Sequence, residues 1–166
     1  MHRKLALVLL LTASLSACSP KYDWRDYRSP DAPYAILFPG KPATQTRAIH
    51  LGQLETKMTM AATEIDGVVF AVGSAQLADA TQAPAALEAM KTAMISNIGA
   101  TITSSRQLPN GALEIDASGS RNGHSMRLTG RFLSSGKRLY QVVVIGPAGR
   151  VDADTVDTYL SSFKLN

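Results

Sequence analysis

Three turn signals follow one another at a spacing of twelve residues in the second half of the chain: Asn110-Gly111, Asn122-Gly123 and Ser134-Ser135-Gly136. Asn-Gly pairs and short glycine-bearing loops favour β-hairpins, because their residues adopt the positive φ angles that tight hairpin turns require. The turns delimit four strands, at about residues 101–108, 112–121, 124–133 and 137–145. This series constrains the fold strongly, since each hairpin turn pairs its two strands antiparallel.

The Asn122-Gly123 turn also predicts the pairing register, because Arg121 then pairs with His124 and the remaining pairs follow by counting. One face carries core-like pairs: Leu113 with Phe132, Ile115 with Gly130, Ala117 with Leu128, and Gly119 with Met126. The opposite face is charged, with Glu114 opposite Arg131, Ser118 opposite Arg127, and Asp116 diagonal to both arginines. Arginines in these places keep both carboxylates ionised. We therefore interpret the charged face as a salt-bridged surface and not as a catalytic carboxylate pair.

The first half of the domain is also predicted to form strands. Tyr34, Ile36 and Phe38 alternate on one face, and Pro39-Gly40 follows as a turn. A weak strand at 45–51 suits a sheet edge because its apolar content is low. Residues 55–65 and 68–76 form a hairpin across Asp66-Gly67, a strong turn signal.

Two stretches show helical spacing. Over 83–98 apolar residues repeat every three or four positions, with Pro84 in the first turn and Gly99 at the end. A second helix begins near Asp152, an N-cap residue, and carries the apolar stripe Val156, Tyr159, Leu160 and Phe163. The strand at 139–145 is apolar on both sides and should be covered twice. We predict one α+β domain over 34–166: an antiparallel sheet of about seven to eight strands with helices on both faces, an α/β/α sandwich.

The N-terminus has the three parts of a secretory signal. A basic start precedes an apolar run at 5–13, and small residues lead to Cys18. The run is shorter than the ~20 residues that span a bilayer. Leu15-Ser16-Ala17-Cys18 resembles the lipobox of bacterial lipoproteins, which implies that residues 1–17 are removed and that Cys18 carries the lipid. The alternative is an ordinary signal peptide with an incidental cysteine.

Cys18 is the only cysteine, so the exported chain cannot form an internal disulfide. The thiol is best explained as the lipid attachment point, and an acylated cysteine gives stable membrane anchoring. Ser19 follows it instead of the aspartate that typically retains lipoproteins in the inner membrane. The resemblance therefore implies an outer-membrane protein that faces the periplasm.

Residues 18–33 are predicted to be a lipidated tether, with alternating charges and three prolines. Its aromatic residues, Tyr22, Trp24 and Tyr27, allow two interpretations. They either contact lipid headgroups or a partner's groove, or they pack across the domain's own surface, which amphipathic rings do readily.

The two ends of the domain resemble a known family. Residues 34–42 form an opening strand that ends in Phe-Pro-Gly, and the chain closes with Leu139-Tyr140 in a strand and a helix that ends in Ser162-Phe163. This resembles the PsbP-like family, over roughly residue 27 to the C-terminus. The resemblance implies an antiparallel sheet with helices on both faces, in proteins that bind other proteins and do not catalyse reactions. No binding residue carries over from the family.

The sequence contains no catalytic or metal-binding constellation that stands out. His50 and His124 are predicted beside hairpin turns, without the Gly-x-Ser-x-Gly elbow of a serine hydrolase. His124 and Met126 together with Met58 and Met60 are soft copper ligands, but core methionines that fill gaps are the commoner explanation. The acids Asp152, Asp154 and Asp157 lack the glycine and closing glutamate of a calcium loop. We expect no catalytic residue, metal or cofactor.

The charge excludes one further class of function, nucleic-acid binding. The formal net charge of +4 falls by two when Arg3 and Lys4 leave with the signal, and no basic cluster remains that would bind nucleic acid. The sequence thus favours a non-enzymatic envelope lipoprotein that binds an envelope protein partner or supports an assembly. The alternative is a carrier or sensor of a small apolar ligand, held between a helix and the sheet.

Overall fold

The structure, a computed structural model, describes residues 20–166. The predicted signal at 1–17, with Leu15, Ser16 and Ala17 of the lipobox, and Cys18 lie outside the described residues. The elements are β1 (Arg25–Arg28), β2 (Tyr34–Phe38), β3 (Ala43–Leu51), β4 (Leu54–Ile65), β5 (Val68–Gln76), α1 (Ala83–Asn97), β6 (Ala100–Gln107), β7 (Leu113–Arg121), β8 (His124–Ser135), β9 (Arg138–Pro147), α2 (Ala153–Ser161) and β10 (Lys164–Leu165). A short 3₁₀ turn precedes each helix.

The strands form two antiparallel sheets and residues 20–166 include two helices, so the prediction of antiparallel sheet with helices is confirmed in this coarse form. The larger sheet has seven strands in the order β3-β4-β5-β9-β8-β7-β6, and the smaller has three in the order β1-β2-β10. The expectation of one sheet with seven to eight strands was wrong. Strand β2 pairs with β1 and β10 instead of joining the larger sheet.

The smaller sheet exists because part of the predicted tether is a strand. Arg25–Arg28 pairs with β2, and the loop between them carries Pro30 and Pro33. Within that loop the Ser29 hydroxyl accepts hydrogen bonds from the backbone N–H groups of Asp31 and Ala32. The prolines therefore lie in the turn that reverses the chain between β1 and β2. The domain begins before Tyr34, and β2 finds its partner in the residues directly preceding it.

The predicted hairpins form as expected. In the turns Asp66-Gly67 and Asn122-Gly123 all four residues have positive φ angles, between 51° and 79°, as type I′ turns require. Every predicted β7–β8 pair occurs, from Arg121 with His124 to Leu113 with Phe132. The turn chemistry therefore fixed this register correctly.

Strand β9 lies between β5 and β8, and each residue from Leu139 to Val144 is buried, as predicted for this strand. Its alternate residues enter two separate cores. The α2 core combines Tyr140, Val142 and Val144 with Ile36 and Phe38 of β2, Phe70 and Val72 of β5, and Tyr159 and Leu160 of α2. The α1 core combines Leu139 and Val143 with Leu51, Met58, Ala71, Ile115, Leu128, and Ala86 and Met90 of α1.

Both helices begin where the sequence predicts. Asp152 caps α2, since its side chain accepts hydrogen bonds from the backbone N–H and the hydroxyl of Thr155. Pro84 lies in the first turn of α1. The stripe residue Phe163 lies beyond the end of α2, where it stacks on Tyr34 with ring centroids 5.5 Å apart. No helix within residues 20–166 is long and apolar enough to cross a membrane.

Candidate functional site

A groove lies between helix α1 and the β3–β4 hairpin, with a volume of about 260 Å³. We name it the α1 groove. Its lining comes from three places in the chain: the hairpin, the last two turns of α1, and the middle of β9. The lining residues are Ile49, His50, Leu51, Met58, Met90, Ala93, Met94, Asn97 and Gln141.

The floor of the α1 groove is apolar and its rim is polar. Met58 and Met90 are buried, and Met94 is half-buried, whereas His50 and Asn97 are exposed. Methionine side chains are flexible and polarisable, so they adapt to ligands of different shapes. None of the lining residues is Lys, Arg, Asp or Glu. The groove therefore suits an uncharged molecule.

Gln141 is the polar exception in this floor. Only 4% of the residue is exposed, and its strand neighbours on the same face, Leu139 and Val143, belong to the α1 core. Its amide Nε2 lies 4.0 Å from Sδ of Met58 and 3.7 Å from Sδ of Met60. Thioether sulfurs are weak acceptors. The amide is thus buried with only weak partners in the described part of the chain.

Gly73 provides the space in which this side chain lies. It pairs with Gln141 across β5 and β9. A Cβ at position 73 would lie 2.7 Å from Sδ of Met60 and 2.9 Å from Cγ of Gln141. A side chain there would push both residues away from β5. The missing side chain at Gly73 therefore allows Gln141 to lie in the floor of the groove.

The charged face forms as predicted. Arg131 Nε donates to Glu114 Oε2 at 2.7 Å, and Arg127 Nη2 donates to Asp116 Oδ1 at 3.2 Å. Arg131 Nη1 also donates to the Leu160 carbonyl at the end of α2, at 2.8 Å, so that the ion pair connects the sheet to that helix.

Both acids of the charged face have lowered pKa values. Partial burial, the largest single influence, raises the pKa of Glu114 and of Asp116. It is outweighed by hydrogen bonds and positive charge, from Arg131 and Arg106 at Glu114 and from Thr129, Arg127 and Ser104 at Asp116. Neither carboxyl is therefore suited to be a proton donor near neutral pH.

Two buried tyrosine hydroxyls lie in the α2 core. Tyr140 and Tyr159 are each 0% exposed, and neither hydroxyl has a hydrogen-bond partner within residues 20–166. Burial raises the pKa of Tyr159 well above its ordinary value, and the nearby Tyr34 raises it further. Burial also raises the pKa of Tyr140, although Arg138 opposes this. Both hydroxyls stay neutral.

The four residues of the copper alternative are not brought together. His124 is exposed at the β7–β8 turn and Met126 lies on β8, whereas Met58 and Met60 lie on β4, which β5 and β9 separate from β8. Residues 20–166 contain no group of three or more His, Cys, Asp or Glu side chains that could hold a metal ion. Asp152, one of the three acids near α2, caps the helix instead.

The predicted interface residues lie against the domain. Tyr22, Trp24 and Tyr27 are half-buried, and Trp24 and Tyr27 pack on the α2 core. The ring of Tyr27 meets Phe38 edge-on, with centroids 5.4 Å apart. Tyr22 and Trp24 contact each other at 5.8 Å. This placement agrees with the interpretation in which the rings pack across the domain's own surface.

Sequence reasoning missed Gln141. A signal was available, because Gln141 is the only polar residue between Leu139 and Ile145. His50 was expected to be an exposed turn residue and is exposed, but it also borders the α1 groove. Nothing in the sequence brings β3, α1 and β9 together, since that contact depends on the path of the helix across the sheet.

No protein-family model matches the chain, and no curated protein matches it. Among solved structures, one from Bacteroides thetaiotaomicron VPI-5482 is 11% identical with a TM-score of 0.46, over 85% of this chain and 48% of that one. A Pseudomonas aeruginosa protein of unknown function, PA94, is 14% identical with a TM-score of 0.36, over 76% of this chain and 84% of that one. The chain thus spans about half the length of the Bacteroides structure. At these TM-scores neither similarity identifies a function.

Proposed function

We propose that this chain is a non-enzymatic envelope lipoprotein whose domain carries or senses a small apolar ligand in the α1 groove. The observation that carries the proposal is the groove itself, with an apolar floor and one buried amide. Ligand sites are typically concave, mostly apolar and equipped with a few polar groups that orient the ligand. Because of this groove, we favour the ligand carrier over the protein-binding role that the sequence favours.

The volume limits the size of the ligand. A cavity of about 150 Å³ holds one benzene molecule, and drug-sized ligands occupy roughly 300–1,000 Å³. At about 260 Å³, the groove suits a molecule of one or two rings, or a short chain of similar size. It is too small to enclose a diacyl lipid.

The lining also supports a role without catalysis. His50 is the only titratable side chain among the residues that line the groove. A nucleophilic or acid–base mechanism needs a second group within hydrogen-bond reach to activate or orient the first. The perturbed carboxyls, Glu114 and Asp116, lie on the charged face, outside the groove.

The lipid anchor is part of the proposal. A lipid on Cys18 would hold the domain at the membrane, in the outer membrane by the sorting rule that Ser19 suggests. The short distance in sequence from Cys18 to β1, which begins at Arg25, would keep the domain near the bilayer, into which apolar molecules partition. A carrier of such molecules benefits from that location.

We further propose that the domain is an α/β/α sandwich of the PsbP-like type. The division of the buried residues supports this, because α1 and α2 contribute to separate cores that take alternate residues of β9. Successive residues of a strand point to opposite faces of a sheet. A crystal structure with both helices on one face would contradict the sandwich.

The carrier function is tested on protein purified from the membranes of the cells that produce it, by organic extraction and mass spectrometry. We expect one recurrent small molecule with the native chain. Ala93→Phe should abolish it, because Ala93 is an exposed residue of α1 that lines the groove. Ala85→Phe is the matched control, since Ala85 is exposed on the same helix but does not line the groove. Equal recovery from both variants would contradict the proposal.

A protein-binding role is the second candidate, because both edges of the larger sheet are free in the described part of the chain. All but one or two side chains of β3 and β6 are exposed, and Ile102 is a large apolar residue that is 38% exposed. An extended segment of a partner could add to such an edge. In-cell crosslinking should then capture one recurrent envelope protein, lost in Ala48→Lys or Ile102→Lys. Capture that neither variant changes would exclude the sheet edges.

A further inference from the structure

The side chain of Gln141 makes unusually weak hydrogen bonds for a buried amide. Such an amide offers two N–H donors and a carbonyl acceptor, and buried polar groups are normally satisfied. Within residues 20–166, the only hydrogen bonds of this side chain go to the sulfurs of Met58 and Met60, at 4.0 and 3.7 Å. The amide nitrogen therefore lacks a strong acceptor.

The surroundings of Gln141 offer no structural reason to keep an amide there. Its neighbours Leu139 and Val143 are buried and apolar, so a leucine or methionine would fit the same core. Gly73 on the adjacent strand leaves the space in which Gln141 and Met60 lie. Gln141 also lines the α1 groove, so a molecule held in the groove lies against this residue.

We propose that the α1 groove binds a neutral, largely apolar molecule through one oxygen acceptor, such as the carbonyl of a ketone, aldehyde or ester, to which Gln141 Nε2 donates. This inference rests on the proposed function and names the chemical class of the ligand. The oxygen would give Nε2 a strong acceptor beside its two weak sulfur acceptors. A carboxylate or an ammonium is disfavoured, because the lining contains no Lys, Arg, Asp or Glu to pair with it.

The methionines supply the apolar walls for the rest of the molecule. Four of the five methionines in the described part lie at the groove or beside Gln141: Met58, Met60, Met90 and Met94. Thioethers with an imidazole could instead bind a soft cation. We favour the organic ligand because the sulfurs of Met58 and Met60 already face the Gln141 amide, and His50 lies exposed at the rim.

Two probes of nearly the same shape test this inference, 2-acetylnaphthalene and 2-ethylnaphthalene, which differ in the carbonyl oxygen. The full lipoprotein is placed in lipid nanodiscs with ¹³C-methyl methionine, and each probe is titrated while the methyl signals of Met58, Met90 and Met94 are followed. Partition of the probes into lipid is the same for every variant, so it cancels when variants are compared.

Gln141→Leu should weaken 2-acetylnaphthalene binding by about fivefold to tenfold, the contribution of one net hydrogen bond. The same variant should change 2-ethylnaphthalene binding less than twofold. Gln53→Leu, at an exposed position outside the groove, should change neither. Gln141→Met serves as a second variant if the leucine variant fails to fold.

The outcomes separate the inference from the proposed function. If both probes bind and Gln141→Leu affects them equally, the inference is wrong and the carrier function stands. If neither probe shifts the methionine signals, the α1 groove is not a site for apolar ligands and the proposed function fails as well. Shifts with Ag⁺ alone would identify a soft-metal site and overturn both.

Discussion

Replacing Tyr159 by phenylalanine should stabilise the domain. Tyr159 is 0% exposed, and its ring packs against Phe70 and Phe38 with centroids 5.2 and 5.6 Å apart. Its hydroxyl has no hydrogen-bond partner within residues 20–166. Phenylalanine keeps the ring and its contacts while it removes the unpartnered hydroxyl.

The magnitude follows from two opposing terms. A buried polar group without a partner costs about 1–3 kcal/mol. Loss of the oxygen removes a few van der Waals contacts, each worth roughly 0.1–0.2 kcal/mol. We expect a net gain of about 1 kcal/mol in the free energy of unfolding, which corresponds to a rise in Tm of about 2–4 °C for a chain of this length.

Equilibrium unfolding in urea measures this gain. The midpoint should rise while the slope with denaturant stays the same, since the surface exposed on unfolding does not change. Tyr22→Phe is the control: Tyr22 is half-buried at the N-terminal end of the domain, and the change should stay within about 0.5 kcal/mol. A loss of 1 kcal/mol or more in Tyr159→Phe would refute the reasoning, because it would mean that the hydroxyl donates to a buried water or another group.

Three further predictions concern the proposed lipid anchor, the core and the charged face. Cys18→Ser should abolish incorporation of labelled palmitate; persistent labelling would refute the lipobox. Leu128→Ala, at a 0% exposed position of the α1 core, should lower the free energy of unfolding by about 2–5 kcal/mol, measured in urea; a loss under about 1 kcal/mol would contradict the described core. The folded-state pKa of Glu114 is lowered, so the stability it contributes is complete above its unfolded pKa near 4.5 and is lost as pH falls through the folded value. Glu114→Gln should therefore lose less stability than the native chain between pH 7 and pH 3, and an equal loss would exclude Glu114 from the acid response.

Local turn chemistry made much of the larger sheet predictable. Asp66-Gly67 and Asn122-Gly123 adopt the positive φ angles that their residue types favour, and the β7–β8 register follows from one of these turns. The pairing of Glu114 with Arg131 follows from the same register. These features depend on residues close together in the sequence, where propensity and pattern are informative.

The smaller sheet was not predictable in the same way. Prolines at 30 and 33 suggested an irregular tether, yet they lie in the loop that pairs β1 with β2. The third strand, Lys164–Leu165, comes from the other end of the chain. A two-residue strand has no periodicity, so only the packing of α2 against β2 brings it into place.

The α1 groove depends on still more distant contacts. The residues of β9 are apolar on both sides of the strand, which predicted that it is covered twice. The role of Gln141 in the groove becomes visible only when β4 and α1 lie beside it. The sequence suggested Met58, Met60 and Met126 as metal ligands with His124, whereas the methionines that line the groove bordered by His50 are Met58, Met90 and Met94. The direction in which α1 crosses the sheet determines which methionines reach the groove, and residue patterns do not encode that direction.

The most direct test of the carrier function is a crystal structure of the native full-length protein, purified from its own cells without added apolar ligand. We predict electron density for a small neutral molecule in the α1 groove, in contact with Met90 and with an oxygen within hydrogen-bond distance of Gln141 Nε2. A groove that contains only water, or one closed by the side chains of Met58 and Met94, would contradict the account.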